Sequence, residues 1–210
     1  MKRRVYLALA APLCVLVLEG CVPAAVGVAA GVGVYSAYDR RTTGAQVDDE
    51  GIELRVSNRI SERYGDKVHV NVTSYNRVVM LTGEVPTAEI RDELDKSISG
   101  LAGVRGVTNE TKVGPHTAFS ARANDSAITG KVKARFVDAN RFNAVHVKVV
   151  TEDSTVYLLG IVTEKEGNAA AELARTTSGV RKVIKVFEYC MPTDDACRPR
   201  EQPKSGEAKK

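Results

Sequence analysis

Apolar residues recur along this chain with two alternating periods. Between residues 48 and 114 they recur at every fourth position, then alternate with polar residues through two short segments, return to every fourth position, and end in a last alternating segment. A period near 3.6 predicts a helix with one buried stripe, and a period of two predicts a half-buried strand. The order is helix, strand, strand, helix, strand, which predicts an α+β unit with its helices on one face of a three-stranded sheet.

The residues that carry this pattern occur twice, 76 or 77 positions apart. The matched pairs are Ile52 and Ile128, Val56 and Val132, Ile60 and Phe136, His69 and His146, Leu81 and Leu158, Gly83 and Gly160, and Gly103 and Gly179. Two copies at such a long period indicate tandem domains rather than a solenoid. Each copy spans about 65 residues, near the lower limit for a core that folds unaided.

Polar residues mark the element boundaries. Asp49 and Asp125 stand before the first helix of each copy and are predicted N-caps. Asn76 and the segment 152–154 predict the turns between the paired strands. The segment 163–166, Thr-Glu-Lys-Glu, has the spacing of a capping box and predicts a helix start.

The amino terminus has the build of a secretory signal peptide. Three basic residues at 2–4 precede an apolar stretch at 5–18, which is too short and wrongly flanked for a membrane-spanning helix. The segment 18–21, Leu-Glu-Gly-Cys, resembles the bacterial lipoprotein box, in which the cysteine, here Cys21, becomes the lipid-bearing first residue. Glu19 stands where that box prefers a small or uncharged residue, which predicts slow processing. An ordinary secreted protein with a buried cysteine is the alternative.

These signals divide the chain into six segments. They are a signal peptide (1–20), the lipidated Cys21 with a tether rich in Ala, Gly and Val (21–47), a first domain (48–114), a linker (115–124), a second domain (125–190), and a cysteine loop with a disordered tail (191–210). The apolar part of the tether is shorter than the roughly 20 residues that a span needs, so it is predicted to lie against the lipid surface.

The cysteines fit an oxidising compartment. Cys14 leaves with the signal peptide and Cys21 is the lipidation residue, so the mature chain keeps Cys190 and Cys197. An even pair in the periplasm predicts a disulfide that closes a short loop. A zinc pair is the rival interpretation, but no second Cys or His pair lies nearby in the sequence to complete four ligands.

Net charge is small, but its distribution is uneven. The chain has 30 basic and 26 acidic residues, which does not favour nucleic acid as a partner. Residues 48–113 carry net charge −3, whereas residues 125–189 carry +2. The excess lies in the first helix of the second copy, where the following residues form a candidate lipid-binding surface: Ala127, Ile128, Lys131, Lys133, Arg135 and Phe136. A basic amphipathic helix suits an anionic lipid surface; a merely solvated helix face is the alternative.

The three histidines do not predict a metal site. His69 and His146 alternate with apolar residues, which places them on the open sheet faces of separate domains, and His116 lies in the linker. The sequence spacing offers no convergence of ligands. No nucleophile elbow, zinc-peptidase, P-loop or dinucleotide-binding motif occurs, so we expect no catalytic residue, metal or cofactor.

The α-β-β-α-β order, the repeated Leu-x-Gly-x-Val strand and the Gly-Val-x-x-Val entry to each last strand resemble the BON domain. With the segment 41–49 and the lipoprotein box, they are similar to the dual-BON outer-membrane lipoproteins of Gram-negative bacteria. This resemblance implies a non-catalytic protein that is lipid-anchored in the outer membrane and faces the periplasm. It also implies binding of anionic phospholipid, support of outer-membrane integrity, in some members at the division site, and contact with the outer-membrane protein-assembly machinery.

Relatives often carry an aromatic residue at the start of the lipid-binding helix. Here the matching position is Ala127, and the chain has no Trp. We therefore expect a weaker, more electrostatic lipid contact, or one that uses Phe119 or Phe142 instead.

The strand predicted at 156–162 is apolar on both of its faces. One face packs under helices, so the other is predicted to dock on the first domain or on a partner protein. Two functional hypotheses follow. The leading one is a lipid-anchored, lipid-binding protein; the alternative is an envelope adaptor in which Tyr157 and Leu159 contact a partner and lipid contact is incidental.

Overall fold

The computed structural model describes residues 39–198 and contains the same five-part order twice. The first domain consists of α1 (Thr43–Tyr64), β1 (His69–Tyr75), β2 (Val78–Val85), α2 (Ala88–Ser99), β3 (Gly106–Asn109) and β4 (Lys112–Val113). The second consists of α3 (Phe119–Ala139), β5 (Lys148–Glu152), β6 (Thr155–Val162), α4 (Glu164–Arg175) and β7 (Lys182–Tyr189). The predicted α+β class is confirmed.

Each sheet is mixed and has the second strand of its domain at the centre. β2 pairs antiparallel with β1 and parallel with β3 and β4, and β6 pairs antiparallel with β5 and parallel with β7. The single last strand predicted for the first domain is interrupted between β3 and β4. There the side-chain oxygen of Asn109 accepts hydrogen bonds from the amide of Thr111 at 3.2 Å and from its hydroxyl at 2.6 Å, and this local turn interrupts the strand.

The helices of each domain cover one face of its sheet. The first core contains Ile52, Val56, Ile60, Val68, Val79, Leu81, Val85, Leu94 and Ile98. The second contains Ile128, Val132, Phe136, Phe142, Val147, Val149, Val156, Leu158, Val162, Ala169, Ala170 and Ala174. Many of these residues are the ones that recur with helical and strand periods in the sequence. The two copies of the sequence repeat therefore form two equivalent cores.

The N-caps predicted at Asp49 and Asp125 are wrong. The cap of α1 is Thr42, whose hydroxyl accepts from the amide of Ala45 at 3.1 Å, and α3 follows Ala118, which makes no side-chain cap. Both aspartates therefore lie inside helices whose first turns occupy segments assigned from sequence to the tether and the linker. Each stands three residues before the first buried isoleucine of its helix, so it faces the sheet instead of closing the helix end.

The two aspartates hold the hairpin turns. Asp49 accepts from the two turn amides between β1 and β2, at 2.8 and 2.7 Å, and from the hydroxyl of Ser74 at 2.7 Å. Asp125 accepts from the two turn amides between β5 and β6, at 2.9 and 2.8 Å. All four turn residues have positive φ, as a tight two-residue hairpin requires: Asn76, Arg77, Asp153 and Ser154. The first helix of each domain thus fixes its hairpin.

The glycine of the repeated Leu-x-Gly-x-Val strand is required by close backbone packing. A Cβ at Gly83 would collide with the carbonyl oxygen of His69, and one at Gly160 would collide with that of His146. Gly83 also has φ +108°, a conformation that side chains disfavour.

The faces of the two sheets that carry no helices pack against each other. Their shared cluster contains Tyr75 and Met80 from the first domain, Tyr157, Leu159 and Ile161 from the second, and Cys197. The apolar face of β6 therefore docks on the first domain, and the sheet faces predicted to be open are covered. His146 lies in a short 3-10 turn, Ala144–His146, and not on a strand as predicted.

Within residues 39–198, no helix combines the length and the apolar character needed to cross a membrane. The predicted signal peptide, the lipidation residue Cys21, most of the tether and the tail beyond residue 198 lie outside the described residues.

Candidate functional site

One side of α3 belongs to the core of the second domain. Ile128 and Phe136 are 0 % and 1 % exposed, so the expectation that they offer apolar edges to lipid is wrong. Phe136 packs edge-on against Phe142 with 5.0 Å between ring centroids, and Phe142 is also buried. The buried residues of α3 are Asp125, Ile128, Val132 and Phe136, which recur every three or four positions and form one stripe that faces the sheet.

The opposite side of α3 is a strip of small and apolar residues with a lysine on each edge, and the exposed Asp138 lies on the same edge as Lys131. The exposed residues of the strip are Ala123, Ala127, Gly130, Ala134 and Val137. Lys131 and Lys133 are two positions apart, about 200° around the helix, so they flank the strip on its two sides. Both are exposed, and neither contacts a carboxylate among residues 39–198.

Arg135, which sequence placed with the lysines, has a structural role. Its guanidinium donates to the carbonyl oxygen of Leu173 at 3.0 Å and to the hydroxyl of Thr177 at 3.1 Å. These acceptors lie at the carboxyl end of α4, where helix carbonyls lack intrahelical partners. Arg135 thus ties α3 to α4, and the cationic surface of α3 depends on Lys131 and Lys133.

The start of α3 carries the most exposed large apolar side chain of the described residues. Phe119 is 79 % exposed, and the guanidinium of Arg122 lies 5.9 Å from the centre of its ring. Arg122 also reaches the first domain, with 3.1 Å between its guanidinium and Nε2 of His69. An aromatic ring and a cation therefore lie together two turns before Ala127.

Polar contacts surround the apolar interface between the two domains. They join Lys148 to Glu53 at 2.8 Å, Lys112 to Asp153 at 2.5 Å, Asn76 to Glu188 at 2.9 Å and Asn71 to Glu152 at 2.8 Å. Residues from Arg40 onward form one compact unit. The α3 surface is thus presented by a two-domain body and not by a free module.

A hydrogen-bonded chain of the first domain and the linker lies at this interface, beside α3. Nδ1 of His69 lies 3.0 Å from Glu84, and Glu84 also accepts from the amide of Thr117 at 3.1 Å and from its hydroxyl. Burial alone would raise the pKa of Glu84, but the bonds from Thr117 and His69 lower it overall.

Glu152 lies next to this chain, at the end of β5. It is 6 % exposed and accepts from the side-chain amide of Asn71 at 2.8 Å and from the hydroxyl of Thr82 at 3.5 Å. Burial raises the pKa of Glu152 in spite of the bond from Asn71. Ligand atoms of His69, Glu84 and Glu152 all lie within 4.8 Å of one another. The structure therefore brings together groups that sequence spacing had kept apart.

Arg40, the first residue of the compact unit, is held by the second domain. Its guanidinium donates to both oxygens of Glu166, at 2.7 and 3.0 Å, and to the carbonyl oxygen of Ile161 at 2.9 Å. Nδ1 of His146 lies 3.7 Å from the same carboxylate. Burial alone would raise the pKa of Glu166, but His146, Arg40 and Thr163 lower it far below its usual range. The chain thus enters the body beside the second domain, although its first helix belongs to the first.

Cys190 and Cys197 are joined in a disulfide, with 6.1 Å between their Cα atoms. Cys197 is 3 % exposed and belongs to the apolar cluster between the domains. The loop after β7 therefore also covers part of the interface.

Sequence comparison places both copies in one family. The BON domain family matches residues 48–115 and 124–191. The chain is 42 % identical to the outer membrane lipoprotein DolP of Haemophilus influenzae, over 82 % of this chain and 90 % of the relative. It is 36 % identical to a 21 kDa hemolysin of Actinobacillus pleuropneumoniae, over 72 % and 79 % of the two chains.

A more distant relative is the osmotically-inducible protein Y of Escherichia coli, 28 % identical over 65 % of this chain and 70 % of the relative. The duplicated α-β-β-α-β fold, the two family matches and the similarity over most of the chain agree. The chain belongs to the BON domain family, as one of its dual-BON outer-membrane lipoproteins.

Proposed function

We propose that this chain is a non-catalytic lipoprotein, anchored in the outer membrane through Cys21 and facing the periplasm, whose second BON domain binds anionic phospholipid and so supports outer-membrane integrity. The observation that carries the proposal is the outward face of α3. It is a strip of small and apolar residues between Lys131 and Lys133.

That face has the layout of a helix lying in a membrane interface. Small residues let the helix axis approach the headgroups closely, while lysine stems can extend sideways along the apolar boundary with their ammonium groups in water. Each lysine near an anionic surface contributes about 1 kcal/mol. Val137, 66 % exposed, adds apolar area, and Phe119 supplies an aromatic side chain two turns before Ala127.

The entry point of the chain supports this orientation. Arg40 fixes the start of the body to the second domain, which is the domain that carries α3. Eighteen residues separate Cys21 from Arg40, enough for about 60 Å when extended. A lipid at Cys21 therefore leaves α3 free to reach the same membrane.

The contact surface that the adaptor hypothesis assumed is buried. Tyr157 and Leu159, its proposed partner contacts, are 2 % and 1 % exposed because they pack against the first domain. Contact with the protein-assembly machinery, which the family resemblance implies, would have to use another surface, such as the exposed Val47 and Leu54 on α1.

Charge reversal on α3 tests the lipid contact. We expect Lys131→Glu with Lys133→Glu, in residues 40–210, to abolish sedimentation with vesicles that contain anionic phospholipid. Removing about 2 kcal/mol of attraction and adding repulsion suffices to lose a weak surface contact. Wild-type binding should also fall steeply with salt, because exposed charges are screened over about 8 Å at physiological ionic strength.

The matched control uses the first domain. Arg55 and Arg59 are exposed on α1, and Arg55 is the repeat equivalent of Lys131. Their reversal to Glu should leave vesicle binding within about twofold of wild type. If both double variants bind as wild type does, α3 is a solvated face and the lipid proposal fails.

The anchor is tested separately. We expect Cys21→Ser to move the protein from the membrane fraction to the soluble periplasm, or to leave it uncleaved, since stable anchoring needs more than one acyl chain or contact. Membrane fractionation that stays unchanged, with no lipid label on the wild type, would contradict the lipoprotein assignment of Cys21.

A further inference from the structure

The interface between the two domains contains a cluster with the composition of a metal site. His69 on β1, Glu84 on β2 and Glu152 on β5 each offer a ligand atom within 4.8 Å of the other two. The carboxylates are 5 % and 6 % exposed. Only the docking of the two sheets brings Glu152 to the other two residues, because they belong to different domains.

The charge balance of the cluster calls for a cation. Two buried carboxylates in one low-dielectric region repel each other, and a buried charge needs compensation. Glu84 is compensated by its bonds with His69 and Thr117, whereas Glu152 has no charged donor within residues 39–198. Among the described residues, the hydrogen-bond donors to Glu152 are neutral, Asn71 and Thr82. Arg122 reaches this region only through Nε2 of His69, at 3.1 Å, and lies at the exposed edge.

The cluster is also accessible. A polar pocket of about 410 Å³ opens onto it and is lined by both His69 and Glu152, with Asn71, Ser126 and Thr129 among its other walls. A hydrated ion can therefore reach the ligands without unfolding the interface, and water in the pocket can complete its coordination.

The types of ligand atom indicate which class of metal ion the cluster would bind. One imidazole with two carboxylates suits Zn²⁺ and neighbouring divalent transition metals better than Ca²⁺, which prefers oxygen ligands alone. Metal–ligand bonds of about 2.0–2.2 Å put tetrahedral ligands about 3.4 Å apart. His69 and Glu84 are already 3.0 Å apart, so closure needs a shift of no more than about 1.5 Å by the Glu152 side chain.

We propose that His69, Glu84 and Glu152 bind one divalent transition metal ion, of the Zn²⁺ class, which joins the two BON domains across their interface. Nδ1 of His69 is the nitrogen ligand, since it already faces Glu84. On metal binding Nε2 carries the proton and Arg122 turns away from it, because two donors cannot face each other.

Calorimetric titration of ZnCl₂ into the mature, untagged, chelator-treated protein tests the proposal. We expect saturable binding of one ion per chain, and a rise in melting temperature with metal, because an ion bound only by the folded state stabilises it. His69→Ala and Glu152→Gln should each weaken binding by at least about tenfold. His146→Ala is the matched control, at the repeat equivalent of His69, and should keep wild-type affinity.

Co²⁺ provides a readout that does not depend on the variants folding. In the wild type it should give visible absorption bands of a four-coordinate site, which Zn²⁺ removes stoichiometrically. Failure of Zn²⁺ to saturate near one equivalent would overturn the proposal, as would equal affinities of the His69 and His146 variants. Vesicle binding by the metal-free protein is a separate measurement, so its result tests the lipid proposal independently of the metal proposal.

Discussion

At the scale of single residues, Asp49 and Asp125 show how a polar residue inside an apolar stripe can organise a fold. Each occupies an inward helix position, where an unpaired carboxylate would be costly. Each is instead paired with two turn amides whose residues have positive φ. The helix thus supplies hydrogen-bond acceptors to turn amides that have no partner in the strand ladder.

Replacing Asp49 tests this role. Asp49→Ala leaves two amides and the hydroxyl of Ser74 without their buried acceptor, so we expect a loss of about 3 kcal/mol in the free energy of unfolding, measured by urea denaturation. Asp48→Ala is the control, because Asp48 pairs with Arg77 on the surface, where both side chains are nearly half exposed. The control should change stability by less than about 0.5 kcal/mol.

The same carboxylate predicts acid sensitivity. Burial would raise the pKa of Asp49, but the bonds from Ser74, Arg77, Arg41 and Asn76 lower it overall. A group with a lowered folded pKa contributes stability above its unfolded pKa, near 3.9, and loses it as pH falls through the folded value. The stability difference between wild type and Asp49→Ala should therefore shrink below about pH 4; a difference constant down to pH 2 would contradict this assignment.

At the scale of elements, α3 combines three functions on three sides. Its buried stripe fills the core, Arg135 ties it to α4, and the strip between Lys131 and Lys133 faces outward. The sequence placed Ile128, Phe136 and Arg135 on the same candidate lipid-binding surface as the two lysines, because residue type alone does not show where a side chain is directed.

Arg135 and Lys133 should therefore respond differently to substitution. We expect Arg135→Ala to cost about 2 kcal/mol of stability, since a charged donor to two acceptors at the end of α4 is lost. Vesicle binding by the protein that remains folded should change by less than threefold. Lys133→Ala should show the reverse, with unchanged thermal stability and weaker binding. Equal stability of the two variants would contradict the structural role of Arg135 and favour a role in lipid contact.

At the scale of the whole molecule, the two domains form one body because their sheets share an apolar cluster. The disulfide loop adds to this cluster, since Cys197 is buried in it together with Met80 and residues of β6. The family fold thus gains a contact that neither domain could make alone.

The disulfide should stabilise the body without taking part in lipid contact. Changing both Cys190 and Cys197 to Ser releases a short loop in the unfolded chain, and we expect a loss of about 2.5 kcal/mol with vesicle binding within about twofold of wild type. Thiol labelling of non-reduced periplasmic protein should find neither cysteine. Two reactive thiols there would show that the pair is not closed in the cell.

The sequence by itself determined the element order, the duplication and most of the repeated core positions, although it also offered Ile128, Phe136 and Phe142 for lipid contact. These three features follow from periods of 3.6 and 2 that recur in residues such as Ile52 and Ile128, and period is a local property. The capping box at Thr163 and Glu166 was predictable for the same reason, because its partners are three residues apart.

Only the tertiary structure decided where the inward and outward polar groups go. The sequence predicts Asp49 as a helix cap, but in the structure it accepts from the amides of the hairpin turn. Arg135 is predicted as an exposed cation, but its guanidinium binds the end of α4. His69 is predicted to lie apart from other ligands, but β5 places Glu152 next to it. Each of these contacts joins residues more than 25 positions apart. Local periodicity fixes which face of an element is apolar, but the partners of its charged side chains depend on which elements pack together, and that is settled by the burial of the whole chain.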